Sequence, residues 1–339
     1  MKLSKYTTLL APLLLLAAAA AALLLWLCGL NFCKEDNKYL YIRTGETFDE
    51  VCSHLRQEAP TARMTAFQLA DKILGYHHRI RPGRYRLSNI STLQLVRNLR
   101  NGQQEPIRLT IPTVWTPAQL AGKLSKRLEA DSASLALAFT DSATLAKAGI
   151  PPHELFSNII PDTYETYWTI KPTELLKRLK REYNRYWTPE RDAKATQRGL
   201  TRNQVATLAS IVERETSRQD ERPIIAGLYL NRLRQGMKLQ ADPTVKYAMQ
   251  DFALKRILLQ HLSTPSPYNT YLNPGLPPSP ISLPSKNSME AVLNSTSHDY
   301  LYMCAKEDFS GQHNFAATYA QHQVNARRYA AALNAKGIH

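Results

Sequence analysis

A chain of 339 residues, 44% hydrophobic and 21% charged, is long enough for two domains with sizeable cores, and its composition excludes a low-complexity or fibrous chain. The formal net charge of +15 suits nucleic acid, anionic lipid headgroups or an acidic polymer as partner. Four cysteines at these spacings form neither a disulfide framework nor a zinc pattern, although Cys52 and Cys304 could pair.

Between Tyr6 and Phe32 there is no charged residue, and Leu9 to Leu27 is almost entirely Leu and Ala. About 20 apolar residues cross a bilayer as a helix, whereas the apolar core of a cleaved signal is only about 7–15 residues long. Lys2 and Lys5 precede the span, which places the N-terminus in the cytoplasm and exports the rest. Residues 1–33 are therefore expected to form a single-pass anchor in the cell (inner) membrane. An exported body argues against nucleic acid and favours lipid or an anionic wall polymer.

A small α+β module is expected over residues 38–105. Tyr39 to Arg43 reads as a strand, Thr47 to Leu55 and Thr65 to Leu74 as helices, Arg84 to Leu87 as a strand and Ser91 to Leu99 as a helix. A larger α+β domain follows over 106–339. Ile107 starts a strand that Pro112 ends, and a largely helical stretch runs from Thr116 to about Ala148. Asn158 to Tyr164 reads as a loop, and Pro172 to about Trp187 as a charged amphipathic helix.

Thr201 to Thr216, TRNQVATLASIVERET, opens on a capping box, Thr201 with Gln204, and continues with Val205, Leu208, Ala209 and Val212 at the spacing of a buried helical face. At roughly 100° per residue, Glu215 lies about 50° from the middle of that face and Glu213 about 110° from it. Glu215 is thus expected on the shoulder of the apolar stripe, where desolvation raises a carboxyl pKa, and Glu213 towards water. The pattern alone is more often that of a solvated helix end.

Helices are expected from about Pro223 to Arg234 and from Asp242 to about Met249, with Met237 to Gln240 extended between them. Ser263 to Pro284 holds seven prolines and one glycine, so it forms no regular element. Its interleaved Tyr268, Asn269 and Tyr271 favour an ordered loop able to line a carbohydrate cleft over a floppy linker. Leu301 to Cys304 and Gly311 to Phe315 read as strands, and Tyr319 to Ala335 as a final helix.

Breaking a glycosidic bond requires a group that protonates the leaving oxygen, and a carboxyl with a raised pKa meets that need. A two-carboxylate hydrolase needs a partner roughly 5–9.5 Å away. Glu213 is excluded as that partner, because i and i+2 on a helix point about 200° apart. Asp242 can approach only through the fold. No G-x-S-x-G elbow supports a serine nucleophile.

ASIVERET (Ala209–Thr216), NRL (Asn231–Leu233), GMKLQADPTVKYAM (Gly236–Met249), SPYNTY (Ser266–Tyr271), GLPPSPI (Gly275–Ile281) and GQHNF (Gly311–Phe315), with PDTY (Pro161–Tyr164) upstream, resemble the YceG-like endolytic murein transglycosylases. The chain departs from that family at Ile111–Thr116 and Phe156–Ile160. The resemblance implies a membrane helix, a LysM-like module at RPGRY (Arg81–Tyr85) and a lysozyme-like YceG-type catalytic domain. It implies cleavage within nascent peptidoglycan strands, between N-acetylmuramic acid and N-acetylglucosamine, leaving 1,6-anhydro ends. Glu215 falls on the family's catalytic glutamate, acting first as acid and then as base. Gln240, Asp242, Asn269 and Tyr271 would line the cleft, with Asn231 and His313 as further candidates; Asp242 is equally a helix cap, and a histidine placed as His313 is more often a turn residue than a catalytic one. No cofactor or metal is implied, and the expected partners are glycan strands, membrane lipid and peptidoglycan synthases.

Overall fold

The computed structural model describes residues 4–29, 31–254 and 256–336, with side chains from Pro12 onward. It is an α+β protein of two compact units. The first holds the described residues up to Leu109 with Arg127–Glu129 and Glu165–Ile170; the second holds Thr110–Lys126, Ala130–Tyr164 and the described residues from Lys171 on.

In the first unit, helix α1 (Ser4–Cys28) leads to β1 (Tyr39–Ile42), α2 (Phe48–Glu58), α3 (Met64–Leu74), β2 (Gly83–Arg86), α4 (Thr92–Asn101) and β3 (Ile107–Thr110). The strand–helix–helix–strand–helix order read from the sequence is present. β1 and β2 pair antiparallel, Tyr39 opposite Arg86 and Ile42 opposite Gly83. Strand alternation sends Leu40 and Ile42 into a core with Val51, Leu55, Phe67 and Tyr85. Thr47 and Glu50 form a capping box at the start of α2, and Gly75 and Gly102 end α3 and α4 in the left-handed conformation.

Along α1, Leu13 to Leu16 are 65–74% exposed, and burial begins only at Leu27, which joins the core of the unit. Among the described residues no helix is long and apolar enough to cross a membrane. The expected span begins before Pro12, so its first turns lie outside the side chains described.

The chain crosses between the units within β3 and again within β4 (Thr163–Thr166). Between those strands the second unit holds α5 (Pro117–Leu124), α6 (Ser132–Thr140) and α7 (Ser142–Lys147). After β4 come α8 (Pro172–Tyr186), α9 (Pro189–Gln197), α10 (Arg202–Glu215), α11 (Arg222–Arg234), α12 (Asp242–Met249), α13 (Lys286–Leu293), β5 (Tyr302–Ala305), β6 (His313–Ala316) and α14 (Tyr319–Ala335). Sequence periodicity misses α9 and α13. The nine residues of α9 bury only Ala195 and so carry no stripe, while α13 starts straight after the proline-rich run, with Ser285 as its cap. It also leaves β4 as loop.

The centre of this unit is α10. Its capping box forms as expected, with Thr201 Oγ1 accepting from the Gln204 amide and Gln204 Oε1 from the Thr201 amide. The single buried face expected of it is too narrow, because Val205 through Val212 are all buried. The hydroxyls of Thr207 and Ser210 are satisfied inside the helix, through Asn203 and Thr207 carbonyls, and Ser210 Oγ accepts from the Ile281 amide. Between Val205 and Val212 the helix can be buried on every side because its two hydroxyls there are paired. That last contact also pins the proline-rich segment, whose Asn269, Thr270, Ile281 and Leu283 are fully buried. It is an ordered loop. Cys52 and Cys304 are free thiols.

Candidate active site

Glu215 is the last residue of α10, and its carboxyl lines a cleft of about 330 Å³ in the second unit. One wall comes from α11, with Leu228, Tyr229 and Arg232; a second from Leu239, Gln240 and Asp242 at the start of α12, with Tyr271 from the loop. The third is Tyr302 to Ala305 on β5, His313 on β6 and His322 on α14.

Two residues upstream, Glu213 takes a different environment from the one its helical angle suggests. It does not face water. Its side chain is 12% exposed and accepts from the hydroxyls of Ser285 and Ser288 at the head of α13, with Arg222 3.4 Å away. Burial pushes its pKa up, but the two hydroxyls and the guanidinium outweigh burial and hold it below the usual range. Glu213 is an ionised clasp between α10, α11 and α13. Arg214 lies over the Trp115 ring at 4.3 Å, so the outward side of the helix end is covered as well. The error in the helical-wheel reading is that it assumes solvent on the far side, where α13 packs.

Glu215 is the opposite case. Burial raises its pKa from 4.5 to about 7, and the negative Asp242 adds to the rise; the Tyr229 hydroxyl, Arg232 and Lys246 pull the other way. Tyr229 O–H donates to Oε1 at 2.7 Å, and the ring of Tyr229 is buried. A carboxyl balanced near neutrality can give a proton and take one back at the same pH.

The remaining residues expected at the site divide by position. Asp242 and Tyr271 are brought together, Tyr271 O–H donating to Asp242 Oδ1 at 2.7 Å, and both line the cleft. Gln240 also lines it, with φ at +53°, held there by its backbone N–H on Thr270 O and by Arg232 Nη1 on its Oε1. His313 lines it from β6. Asn231 and Asn269 do not. The Asn231 amide donates to the carbonyls of His298 and Tyr300 at 2.7 and 3.0 Å, tying α11 to the segment before β5. The Asn269 amide donates to Leu262 O and Thr264 O, and its oxygen accepts from the Tyr271 amide, so it shapes the loop that delivers Tyr271. Both amide NH2 groups are thus engaged by backbone carbonyls.

Tyr229 and Arg232 escape the sequence reading. They lie on a helix buried on most sides, where no apolar stripe separates cleft-facing positions from core-facing ones. Arg232 is the keystone of two walls: it donates to Leu301 O at 2.6 Å, Lys238 O at 3.1 Å and Leu239 O at 2.9 Å, and lies over the Tyr302 ring.

The sequence model of the YceG-like family matches residues 40–328, which takes in most of both units. The chain belongs to the YceG-like family. A YceG-like protein of Listeria monocytogenes, known from a crystal structure, superposes with a TM-score of 0.55 at 26% identity, over 84% of this chain and 98% of that one. The endolytic murein transglycosylase of Bacillus subtilis is 39% identical over 134 residues, 40% of this YceG-like chain and 36% of that protein. That of Streptococcus pneumoniae is 28% identical over 299 residues, 78% of this chain and 53% of that protein. The chain thus spans about half the length of the pneumococcal relative and less of the Bacillus one.

Proposed function

We propose that this YceG-like chain is an endolytic murein transglycosylase that cuts nascent peptidoglycan strands between N-acetylmuramic acid and N-acetylglucosamine. The observation that carries the reading is one partly buried carboxyl, Glu215, held near neutral pKa in an open cleft with polar walls. Protonated Glu215 gives its proton to the glycosidic oxygen as that bond breaks. The resulting carboxylate, with Tyr229 O–H on its Oε1, then takes the proton from the muramyl C6 hydroxyl as that oxygen closes on C1. Water is not consumed, the product carries a 1,6-anhydro ring, and Glu215 ends protonated for the next cycle. Asp242, which accepts the Tyr271 O–H and lines the same cleft, is assigned the role of stabilising the oxocarbenium-like centre.

Asp242 also supports a second reading, a hydrolase in which it activates water. Mass spectrometry of the products from uncrosslinked peptidoglycan separates the two. Anhydromuramyl ends are expected. Plain reducing ends would make the protein a hydrolase, and no product would leave it a glycan-holding protein.

Residues 38–105 of the first unit are read as a LysM-like module that binds the glycan strand, and α1 as part of a membrane anchor that holds the protein beside the site of strand synthesis. The exposed leucines of α1 support this, since an apolar surface of that extent is otherwise covered by lipid or protein. Removing residues 1–33 is expected to move the protein from the membrane fraction to the soluble one; retention in the membrane would sink the anchor.

A further inference from the structure

Glu221 is the residue just before α11, 5% exposed, and it makes a two-point contact with the head of β6. Its Oε1 accepts the His313 backbone N–H at 2.7 Å, and its Oε2 lies 2.8 Å from His313 Nδ1. Thr216, immediately after Glu215, donates its hydroxyl to the same Oε2 at 3.4 Å and accepts the Arg218 amide. The turn that follows the acid thus leads directly into the clamp on a histidine lining the same cleft. Among the described residues His313 Nε2 has no hydrogen-bond partner, while the side chain remains 16% exposed and lines the cleft.

An ionised carboxylate only accepts hydrogen bonds, so the nitrogen facing it must carry the hydrogen. We infer that Glu221 is a positioning residue that fixes His313 as the Nδ1–H tautomer, so that Nε2 meets the glycan and accepts a hydrogen bond from one of its O–H or N–H groups. The backbone contact makes the arrangement rigid as well as polar: the strand bearing the imidazole cannot slide without breaking both bonds. This rests on the glycan-cleaving reading for its substrate, but the tautomer itself does not.

Glu221→Gln tests it. The carboxamide has one oxygen, which the His313 N–H requires, so its NH2 group faces Nδ1 and forces the ring hydrogen onto Nε2. Full-length protein with isotope-labelled histidine nitrogens, studied well above the ordinary imidazole pKa of about 6.5, is expected to show Nδ1 protonated in His313 and Nε2 protonated in Glu221→Gln, the resonance being assigned by its loss in His313→Gln. With uncrosslinked peptidoglycan, Glu221→Gln is expected to lower kcat/KM about 10- to 100-fold. It should add no further loss in a His313→Ala background. An Nε2–H tautomer in the unsubstituted protein, an unchanged tautomer in Glu221→Gln, or fully additive losses would each overturn the assignment. Normal cleavage by Glu215→Gln would instead overturn the catalytic reading and leave the tautomer result standing.

Discussion

Glu215→Gln is expected to lower glycan cleavage by at least about 10³-fold, because one side chain supplies both the acid and the base. The fold should survive and gain. Glu215 has an ordinary carboxyl pKa in the unfolded chain and one of about 7 in the folded chain. The folded state therefore binds this proton more tightly, and the stabilisation is complete below the unfolded pKa of 4.5 and lost as pH rises towards 7. Above that, folding carries the cost of an ionised group in a partly buried position. Glutamine cannot ionise, so denaturant titrations should show the variant more stable than the parent at alkaline pH, by up to about 3 kcal/mol, with the gain fading towards acid pH. Normal cleavage would remove Glu215 from the mechanism, and a gain that is the same at all pH values would show that burial does not raise its pKa.

Arg232→Met is expected to produce the largest loss of stability at the site, about 3–5 kcal/mol. The guanidinium is nearly buried and satisfies the carbonyls of Leu301, Lys238 and Leu239 at once. Methionine fills much of the space but donates nothing, so three inward-facing carbonyls lose their partner. The substitution also takes a positive charge from the vicinity of Glu215, which pushes that carboxyl further up. Thermal unfolding should fall by about 10 °C for a protein of this size, and the pH–rate profile should shift to higher pH. An unchanged melting temperature would mean that the carbonyls find water instead.

Helices with stripes and caps were legible in the sequence: the capping box of α10, the proline start of α11 and the position of α14 all follow from local pattern. So was the placement of Glu215 towards the interior, since a carboxyl at the edge of an apolar run has few other directions. What was not legible depends on neighbours distant in sequence. Glu213 is drawn inward by Ser285 and Ser288, more than 70 residues later. Asn231 and Asn269 carry side chains suited to sugars, and only the fold shows their amides committed to carbonyls. Arg232 reads as one more surface cation in a chain with 43 Lys and Arg, and Glu221 as one more acid in a turn. Residue type suggests chemistry; the partner decides it.

Glu215 terminates its helix, with Thr216 already in extended conformation. The peptide dipoles of α10 therefore point their negative pole at this carboxyl, through the carbonyls that have no amide left to receive. That field disfavours a negative charge by about 0.3–1 kcal/mol, several tenths of a pKa unit, independently of any side chain. The backbone thus helps keep the acid protonated, and reshaping the lining residues would not remove that contribution. The same glutamate at the start of a helix would meet the positive pole and ionise sooner.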